Sequence, residues 1–441
     1  MTFPDSLTKW LVHIEGGHPE KIDLGLDRVI EVGAKAKVLH FTCPVVTVAG
    51  TNGKGSTVAS LASLLLQAGL KVGTYTSPHL FDFKERVQIN GKMLDDETWC
   101  QAFTKIESYK DNTSLTFFEF TTLAAFEIFQ THELDIIILE VGLGGELDAV
   151  NVITPSLAIV TSIGLDHQDY LGQTIEEIAF QKAGIFRPNQ PAVIGRLACV
   201  STLLDKAQSL NVQMCIEGKH FDYDEKSKNW LFGDKANILI KHYLPNSSVA
   251  LAMAAYTILD NNYFSLPRLQ DVVKSIENKV MVGRCYPVNL NNRLVIFDVA
   301  HNPQGSSWLA SKIKVLASGA NIGAVWASMA DKDLINIAKP LRSIVKDWYI
   351  GKVQENQRCA RVEDLEKALL MCHVKSVYSF HTINEAFEHA LNAAHDLIVV
   401  FGSFFTVSQV MHEYVVPSQI EMCGISGMLK IPTDACLESE C

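Results

Sequence analysis

The sequence predicts an α/β protein in two parts, an N-terminal domain on a mostly parallel sheet and a smaller, Rossmann-like C-terminal α/β domain. Three observations carry this. Short apolar runs end in polar or glycine-rich turns and pass into helical patterns, the rhythm of βαβ units. That rhythm weakens after residue 191 and restarts at residue 294, beyond the Gly- and Pro-punctuated stretch Val282-Gly283-Arg284-Cys285-Tyr286-Pro287. The chain of 441 residues also exceeds what one hydrophobic core usually organises. The expected boundaries are 1–284 for the first domain and 288–416 for the second, with 417–441 a tail of mixed composition in which disorder is the safest expectation.

In the first domain, residues 7–14 and a segment ending near Lys37 read as helices, joined by the loop Asp23-Leu24-Gly25-Leu26-Asp27-Arg28. The next stretch is Val45-Val46-Thr47-Val48-Ala49-Gly50-Thr51-Asn52-Gly53-Lys54-Gly55-Ser56-Thr57, a β-branched run that breaks into a glycine-rich turn and then a helix. It reads as a phosphate-binding loop. Glycines let main-chain N–H groups approach a phosphate, and the helix N-terminus adds partial positive charge. Lys54 would reach the outer phosphates and the Ser56 hydroxyl a magnesium ion. The spacing departs from G-x-x-x-x-G-K-[ST], because Gly50 and Gly53 stand closer together and Gly55 precedes Ser56.

Val58, Leu61, Ala62 and Leu65 then share one helical face up to Gly69. A short strand over 72–75 leads out through Thr76-Ser77-Pro78-His79-Leu80. Thr116-Phe117-Phe118-Glu119 has the spacing of a capping box opening a helix over 120–129. Capping explains the Thr and the Glu but not the two adjacent aromatics, which could also wall a slot for a flat ring, so capping alone and capping with ligand contact both stand. Residues 135–140 are apolar and closed by Glu140, the pattern of a parallel strand buried on both faces. A carboxylate at such a strand exit suits magnesium beside phosphates, or simply begins the glycine loop Gly142, Gly144, Gly145 that leads to Leu147-Asp148-Ala149. A strand over 158–161 exits through Ser162-Ile163-Gly164-Leu165-Asp166-His167, where His167 fits a polar surface group or a metal or phosphate contact equally well. Thr174-Ile175-Glu176-Glu177 is a second capping box, opening a helix with Lys182 before Gly184; a helical Lys is ordinarily solvated. Asn246 begins a small-residue helix through 255.

In the second domain, strands are expected over 294–297, 322–326, 348–350 and 397–401, alternating with helices near 332–345, 362–372 and 384–394. Asp298-Val299-Ala300-His301-Asn302-Pro303 leaves one strand and Gly402-Ser403-Phe404-Phe405-Thr406 another.

The net charge of −11 without any Lys/Arg-rich run argues against nucleic acid and anionic membranes as partners. Neither an export signal nor 18 uncharged apolar residues in a row is present, so a cytoplasmic protein is expected. The ten cysteines form no C-x-x-C pair, so reduced thiols are expected in place of a zinc ribbon or dithiol centre.

Taken in order, Gly50-Thr51-Asn52-Gly53-Lys54-Gly55-Ser56, Thr76-Ser77-Pro78-His79-Leu80, Leu139-Glu140-Val141-Gly142-Leu143-Gly144-Gly145 with Asp148, Lys182-Ala183-Gly184-Ile185 and Asp298-Val299-Ala300-His301-Asn302-Pro303 resemble the folylpolyglutamate synthase family of the Mur-ligase superfamily. The resemblance runs from about residue 7 to residue 410. It implies a monomeric, ATP-dependent amide ligase with an N-terminal nucleotide domain and a C-terminal domain that closes over the site. Such an enzyme adds L-glutamate to dihydropteroate and to reduced folates through an acyl phosphate. By similarity, Thr51, Asn52, Gly53 and Lys54 hold ATP phosphates, and Asn246, Arg284 and Asp298 contact ATP. Ser77, Glu140 and His167, with Ser56, bind magnesium, two ions being expected. Lys182 matches a carbamylated lysine. Leu24, Gly25, Leu26, Thr116, Phe117, Phe118, Glu119, Leu147, Asp148 and Ala149 match segments that contact dihydropteroate. His301 and Ser403 match positions tied to glutamate use, and Lys54, Lys182 and His301 are expected to serve the chemistry. Two rivals remain: another Mur-type ligase, building peptidoglycan precursors, and a P-loop regulatory NTPase. The absence of an N-K-x-D motif and the presence of a second α/β domain weigh against the latter.

Overall fold

The computed structural model describes residues 3–224, 229–232, 235–239, 244–277, 280–354 and 356–415. The expected tail, 417–441, lies outside the described residues. The chain divides into two compact units. The first takes the chain up to Gly164, then from Gln168 through the small sheet described below, and Pro245–Glu277; the second takes Leu165–His167, Leu244 and the chain from residue 280 onward.

The first unit is built on an eight-stranded sheet of β1 (Val45–Ala49), β2 (Val72–Tyr75), β3 (Val87–Ile89), β4 (Lys92–Met93), β5 (Ile136–Glu140), β6 (Leu157–Val160), β7 (Pro191–Ile194) and β8 (Gln213–Ile216), in the order β4-β3-β2-β5-β1-β6-β7-β8. From β2 to β8 all neighbours are parallel, and only β3 and β4 turn back antiparallel at the edge. Every residue of β1, β2, β5 and β6 is buried, which is why these strands read as unbroken apolar runs. One core lies under the helices Leu7–Glu15, Asp27–Ala36, Asp96–Lys110 and Phe117–Gln130, and a second under Ile175–Ala183 and Ser201–Ser209. A small antiparallel sheet, β9 (Phe221–Asp224), β10 (Asn229–Phe232) and β11 (Lys235–Leu239), follows where the sequence turns irregular. The small-residue helix runs longer than expected, Asn246–Asn262, and packs on helix Lys54–Gln67; its alanines allow that close approach.

The second unit holds a six-stranded sheet of β12 (Tyr286–Leu290), β13 (Arg293–Asp298), β14 (Ile322–Trp326), β15 (Asp347–Lys352), β16 (Val377–Thr382) and β17 (Leu397–Phe401), ordered β12-β13-β17-β14-β15-β16 and parallel except for β12. Part of the expected linker is therefore the strand β12. The helix expected over 332–345 is cut to Leu334–Ala338, because the ring of Pro340 disfavours helix in the residue before it. Among the described residues no helix is long and apolar enough to cross a membrane.

Candidate active site

The phosphate-type loop hangs between β1 and the helix Lys54–Gln67 and is pinned to the exit of β6. Thr51 N donates to Ser162 O at 2.8 Å, Asn52 N to Ser162 Oγ at 3.0 Å, and Thr161 Oγ1 to Asn52 O at 2.6 Å. Gly50 is required here: it has φ of 151°, and a Cβ would stand 1.9 Å from Thr161 Oγ1. Gly53, at φ 85°, precedes the first helical residue in a left-handed conformation costly for other residues. Lys54 Nζ folds back onto Gly50 O at 3.1 Å, so its ammonium lies over the loop. Ser56 is buried in the first turn, and Asn246, at the start of its own helix, lies two residues before Ser248, whose hydroxyl donates to Gly53 O at 3.3 Å.

Beside this loop, the exits of β2 and β5 meet. Glu140 is buried, and its Oε2 accepts from Ser77 N at 3.3 Å; the Ser77–Pro78 peptide is cis. Glu140 and the Ser77 hydroxyl offer hard oxygen donors of the kind magnesium takes. No group of three or more His, Cys, Asp or Glu that could hold a metal was found among the described residues, so the donor set would lean on hydroxyls and on ligand phosphates. Lys182 departs from the ordinary solvated helical lysine: it is 3 % exposed. The glycine loop after β5 lies against its turn, with Glu146 N donating to Gln181 O at 2.8 Å and a Cβ on Gly145 only 2.5 Å from that same oxygen. A buried lysine whose amine is carbamylated would bring another oxygen donor to such a site.

The capping box forms as expected, with Glu119 N on Thr116 Oγ1 at 3.2 Å and Thr116 N on Glu119 Oε2 at 2.7 Å. The helix it opens starts earlier, at Phe117, so both aromatics belong to its first turn. Glu119 does more than cap. Arg28 NH2 reaches Glu119 Oε1 at 2.9 Å and its NH1 reaches Asp23 Oδ2 at 2.7 Å, which ties the 23–28 loop to this helix. Phe118 stacks on Tyr75 at 6.0 Å between ring centroids, and its ring lies where a Cβ on Gly142 would sit, 2.5 Å away. Asp148 is buried, accepting from Leu143 N at 2.8 Å and Val150 N at 3.0 Å and capping the short turn Ala149–Val152. Burial pushes its carboxyl up to about 6, against the backbone N–H groups and the Lys54 charge, which lower it. Leu24 and Leu143 pack on one core, Leu147 is exposed, and a Cβ at Gly25 would meet nothing within 4 Å.

The second unit gathers the remaining candidates. Asp298 is buried and accepts from Cys285 N at 2.7 Å and Ala300 N at 2.8 Å; burial raises it to about 6 although Arg284 opposes this. Arg284 lies over the Phe404 ring at 5.2 Å, and His301 stands 6.4 Å from that ring. Ser403, buried, caps the helix Phe404–Tyr414 through Thr406 N at 3.0 Å, a structural duty its motif did not reveal. His167, at φ 51°, belongs with the second unit, whereas Ser56, Ser77 and Glu140 belong to the first. Its neighbour Asp166 was not singled out from the sequence. It accepts from Lys332 Nζ at 2.6 Å and Asn302 Nδ2 at 2.9 Å and faces His301 Nε2 at 3.3 Å, while His301 Nδ1 faces Val299 O at 2.9 Å. Burial alone would raise the Asp166 carboxyl, but the His301 hydrogen bond and the charges of His301, His167 and Lys332 hold it well below the usual carboxylate range.

Comparison with known proteins agrees with these motifs. Residues 48–238 match the Mur ligase middle domain and residues 283–404 the Mur ligase glutamate ligase domain. The dihydrofolate synthase/folylpolyglutamate synthase of Escherichia coli K12 is 39 % identical over 412 residues, spanning 92 % of this chain and 94 % of the relative. The solved E. coli FolC in complex with DHPP and ADP superposes with a TM-score of 0.87 at 36 % identity, covering 95 % of this chain and 100 % of that one. A bifunctional folylpolyglutamate synthase/dihydrofolate synthase with Mn, AMPPNP and L-glutamate bound gives 0.85 at 34 % identity, covering 93 % and 99 %. With motifs, domain order and fold in agreement over nearly the whole chain, this protein belongs to the dihydrofolate synthase/folylpolyglutamate synthase family of Mur ligases.

Proposed function

We propose that this chain is an ATP-dependent ligase that adds L-glutamate to dihydropteroate and to reduced folates through an acyl phosphate. At neutral pH a carboxylate and an amine exchange a proton instead of condensing, so the carboxylate oxygen must first become a leaving group. The substrate carboxylate attacks the γ-phosphoryl of ATP, which is held by the loop residues Thr51, Asn52, Gly53 and Lys54. Lys54 neutralises charge that builds on the transferring oxygens. Ser56, Ser77, Glu140 and His167 are the residues proposed to hold magnesium, which would supply neutralising charge to the nucleotide phosphates when bound. The amine of glutamate then attacks the acyl phosphate and phosphate leaves. His301 and Ser403 are assigned to glutamate use, the former held by Asp166, the latter in addition to its capping role. Asn246, Arg284 and Asp298 are assigned to ATP.

The pterin acid is assigned to the space bordered by Leu24, Gly25, Leu26, Thr116, Phe117, Phe118, Glu119, Leu147, Asp148 and Ala149. The observation that supports the reading is geometric: β1 and β5 are adjacent parallel strands with Val48 opposite Glu140, so the phosphate loop that leaves β1 and the glycine loop that leads from β5 to Asp148 leave the sheet of the first unit side by side. The deciding assay is purified protein with ATP, magnesium, glutamate and either dihydropteroate or a reduced folate. Glutamylated product and ADP are expected in both cases; no nucleotide consumption with either acid would overturn the reading, and ATP hydrolysis indifferent to both acids would favour a regulatory NTPase. Carbamylation of Lys182 is tested by labelling with ¹³C-bicarbonate, a second magnesium ion by metal stoichiometry with AMPPNP, and the proposed monomer of the cytoplasm by sedimentation and cell fractionation.

A further inference from the structure

The loop between β2 and β3 buries a cation, Arg86, with which no carboxylate pairs among the described residues. Its own acids are committed elsewhere. Glu85 accepts from Leu80 N, Phe81 N and Asp82 N at 2.7–2.8 Å, and Asp82 closes a capping box on the turn Phe83–Arg86 while Lys84 reaches out to Asp96 at 2.9 Å. At the end of the loop Thr76 N donates to Arg86 O at 2.8 Å. Arg86 as a whole residue is 8 % exposed. Among the described residues no carboxylate pairs with it: Nε donates to His79 Nδ1 at 3.1 Å, and the guanidinium lies over the Phe83 and Phe117 rings at 5.5 Å each. Two such ring contacts offset only part of the cost of taking an ion out of water without a partner.

The hydrogen bond with His79 also fixes chemistry. An arginine Nε–H can only donate, so His79 Nδ1 accepts and the imidazole proton sits on Nε2, as a second donor. Phe117 stands between Thr116 and Phe118 in the segment assigned to the pterin acid, so this cation and this donor border the ring slot. We infer that Arg86, with His79 oriented by it, is the binding residue for the carboxylate of the acid substrate, engaging it through the NH1/NH2 edge of the guanidinium. This rests on the assigned slot but not on ligase turnover. A planar carboxylate against a guanidinium edge makes two charge-assisted hydrogen bonds and supplies the missing counter-charge. The same interaction holds the nucleophilic oxygen still before phosphoryl transfer.

The test is calorimetric binding, without glutamate, of dihydropteroate and of its carboxamide analogue to wild type, Arg86→Met, Arg86→Lys and His79→Gln. Methionine keeps a stem over the rings without the charge, and lysine keeps the charge without the fork. For Arg86→Met we expect dihydropteroate to bind about 10- to 100-fold more weakly, the worth of a charged hydrogen-bond pair. Arg86→Lys and His79→Gln should fall in between, while the carboxamide binds all four proteins within about twofold and AMPPNP with magnesium is unaffected. Equal loss for acid and carboxamide, or no loss for the acid, would overturn the inference. If Arg86→Met fails to fold, Arg86→Lys and His79→Gln carry the same comparison. Failure of wild type to ligate glutamate would sink the ligase reading and leave this binding result standing.

Discussion

At the scale of the residue, Gly25 separates the demands of folding from those of binding. Its φ lies outside the left-handed region that favours glycine, and a Cβ there would meet nothing within 4 Å. The fold therefore has no evident need of a glycine at this position, and the slot does if a ligand lies against the bare backbone. Gly25→Val should leave the unfolding free energy from urea titration within about 0.5 kcal/mol of wild type, as surface changes do. It should weaken dihydropteroate binding at least tenfold, read by the same calorimetry. Unchanged affinity would remove 24–26 from the slot. Asp148 makes a prediction in pH. Its carboxyl is lifted from 3.8 to about 6, so the stability it lends is present below 3.8 and lost as pH rises through 6, where a buried charge must form. Two pH units of lift correspond to about 3 kcal/mol at most. Compared with Asp148→Asn, wild type should thus lose up to about 3 kcal/mol of relative stability between pH 4 and pH 7.5 in paired urea titrations. A difference that stays flat across that range would contradict the lift.

At the scale of the element, the helix Phe117–Gln130 shows how a cap becomes part of a site. Thr116→Ala removes one hydrogen bond at the helix start and should cost about 1 kcal/mol. Glu119→Gln keeps the size of the side chain but takes the charge from Arg28, and with it the tie to Asp23; about 2–3 kcal/mol is expected, since Arg28 is partly solvated while Glu119 is not. Urea titration of both variants checks the order, and a larger loss for Thr116→Ala would contradict the double duty. The sequence made this helix legible because its cap spacing is local, and it made the strand exits at Glu140 and Asp298 legible because a strand buried on both faces leaves an unbroken apolar run. What it hid was either polar or remote. Strand β16 is partly exposed along its length and carries no such run, and β12 looked like a linker because Pro287 punctuates it; Pro287 fits there since β12 is a sheet edge. Helix Asp96–Lys110 has a largely polar surface and only four buried residues, too few to mark it without a structure. The pair Asp166 and Lys332 is separated by 166 residues, and Arg86 gains its meaning only from acids that turn out to be occupied elsewhere. Neither relation has a signature in spacing.

At the scale of the whole molecule, the two units carry separate hydrophobic cores, and cooperativity follows cores. Leu61, Leu139, Phe126, Ile159 and Ile178 are buried in the first unit, while Trp326, Trp348, Leu365 and Phe401 fill the core of the second. Proteins with distinct cores commonly depart from one all-or-none transition, so calorimetry should resolve two components whose summed calorimetric enthalpy exceeds the van't Hoff value. The phosphate loop allows one component to be moved alone. Magnesium tripolyphosphate offers the chain of phosphates without a base or ribose, so its contacts are those of Thr51, Asn52, Gly53 and Lys54. At a hundredfold excess over its dissociation constant, a ligand of the native state stabilises by about 2.7 kcal/mol. For a unit of this size that corresponds to roughly 5–10 °C, from about 2–4 °C per kcal/mol. The component of the first unit should rise by that amount and the other stay within about 1 °C. Lys54→Ala should abolish the shift while leaving both components of the apo protein in place, because its ammonium bonds the Gly50 carbonyl of its own loop and its side chain is not part of a hydrophobic core among the described residues. A single transition with equal enthalpies, or a shift that survives Lys54→Ala, would mean that the phosphate chain is held somewhere other than the loop between β1 and its helix.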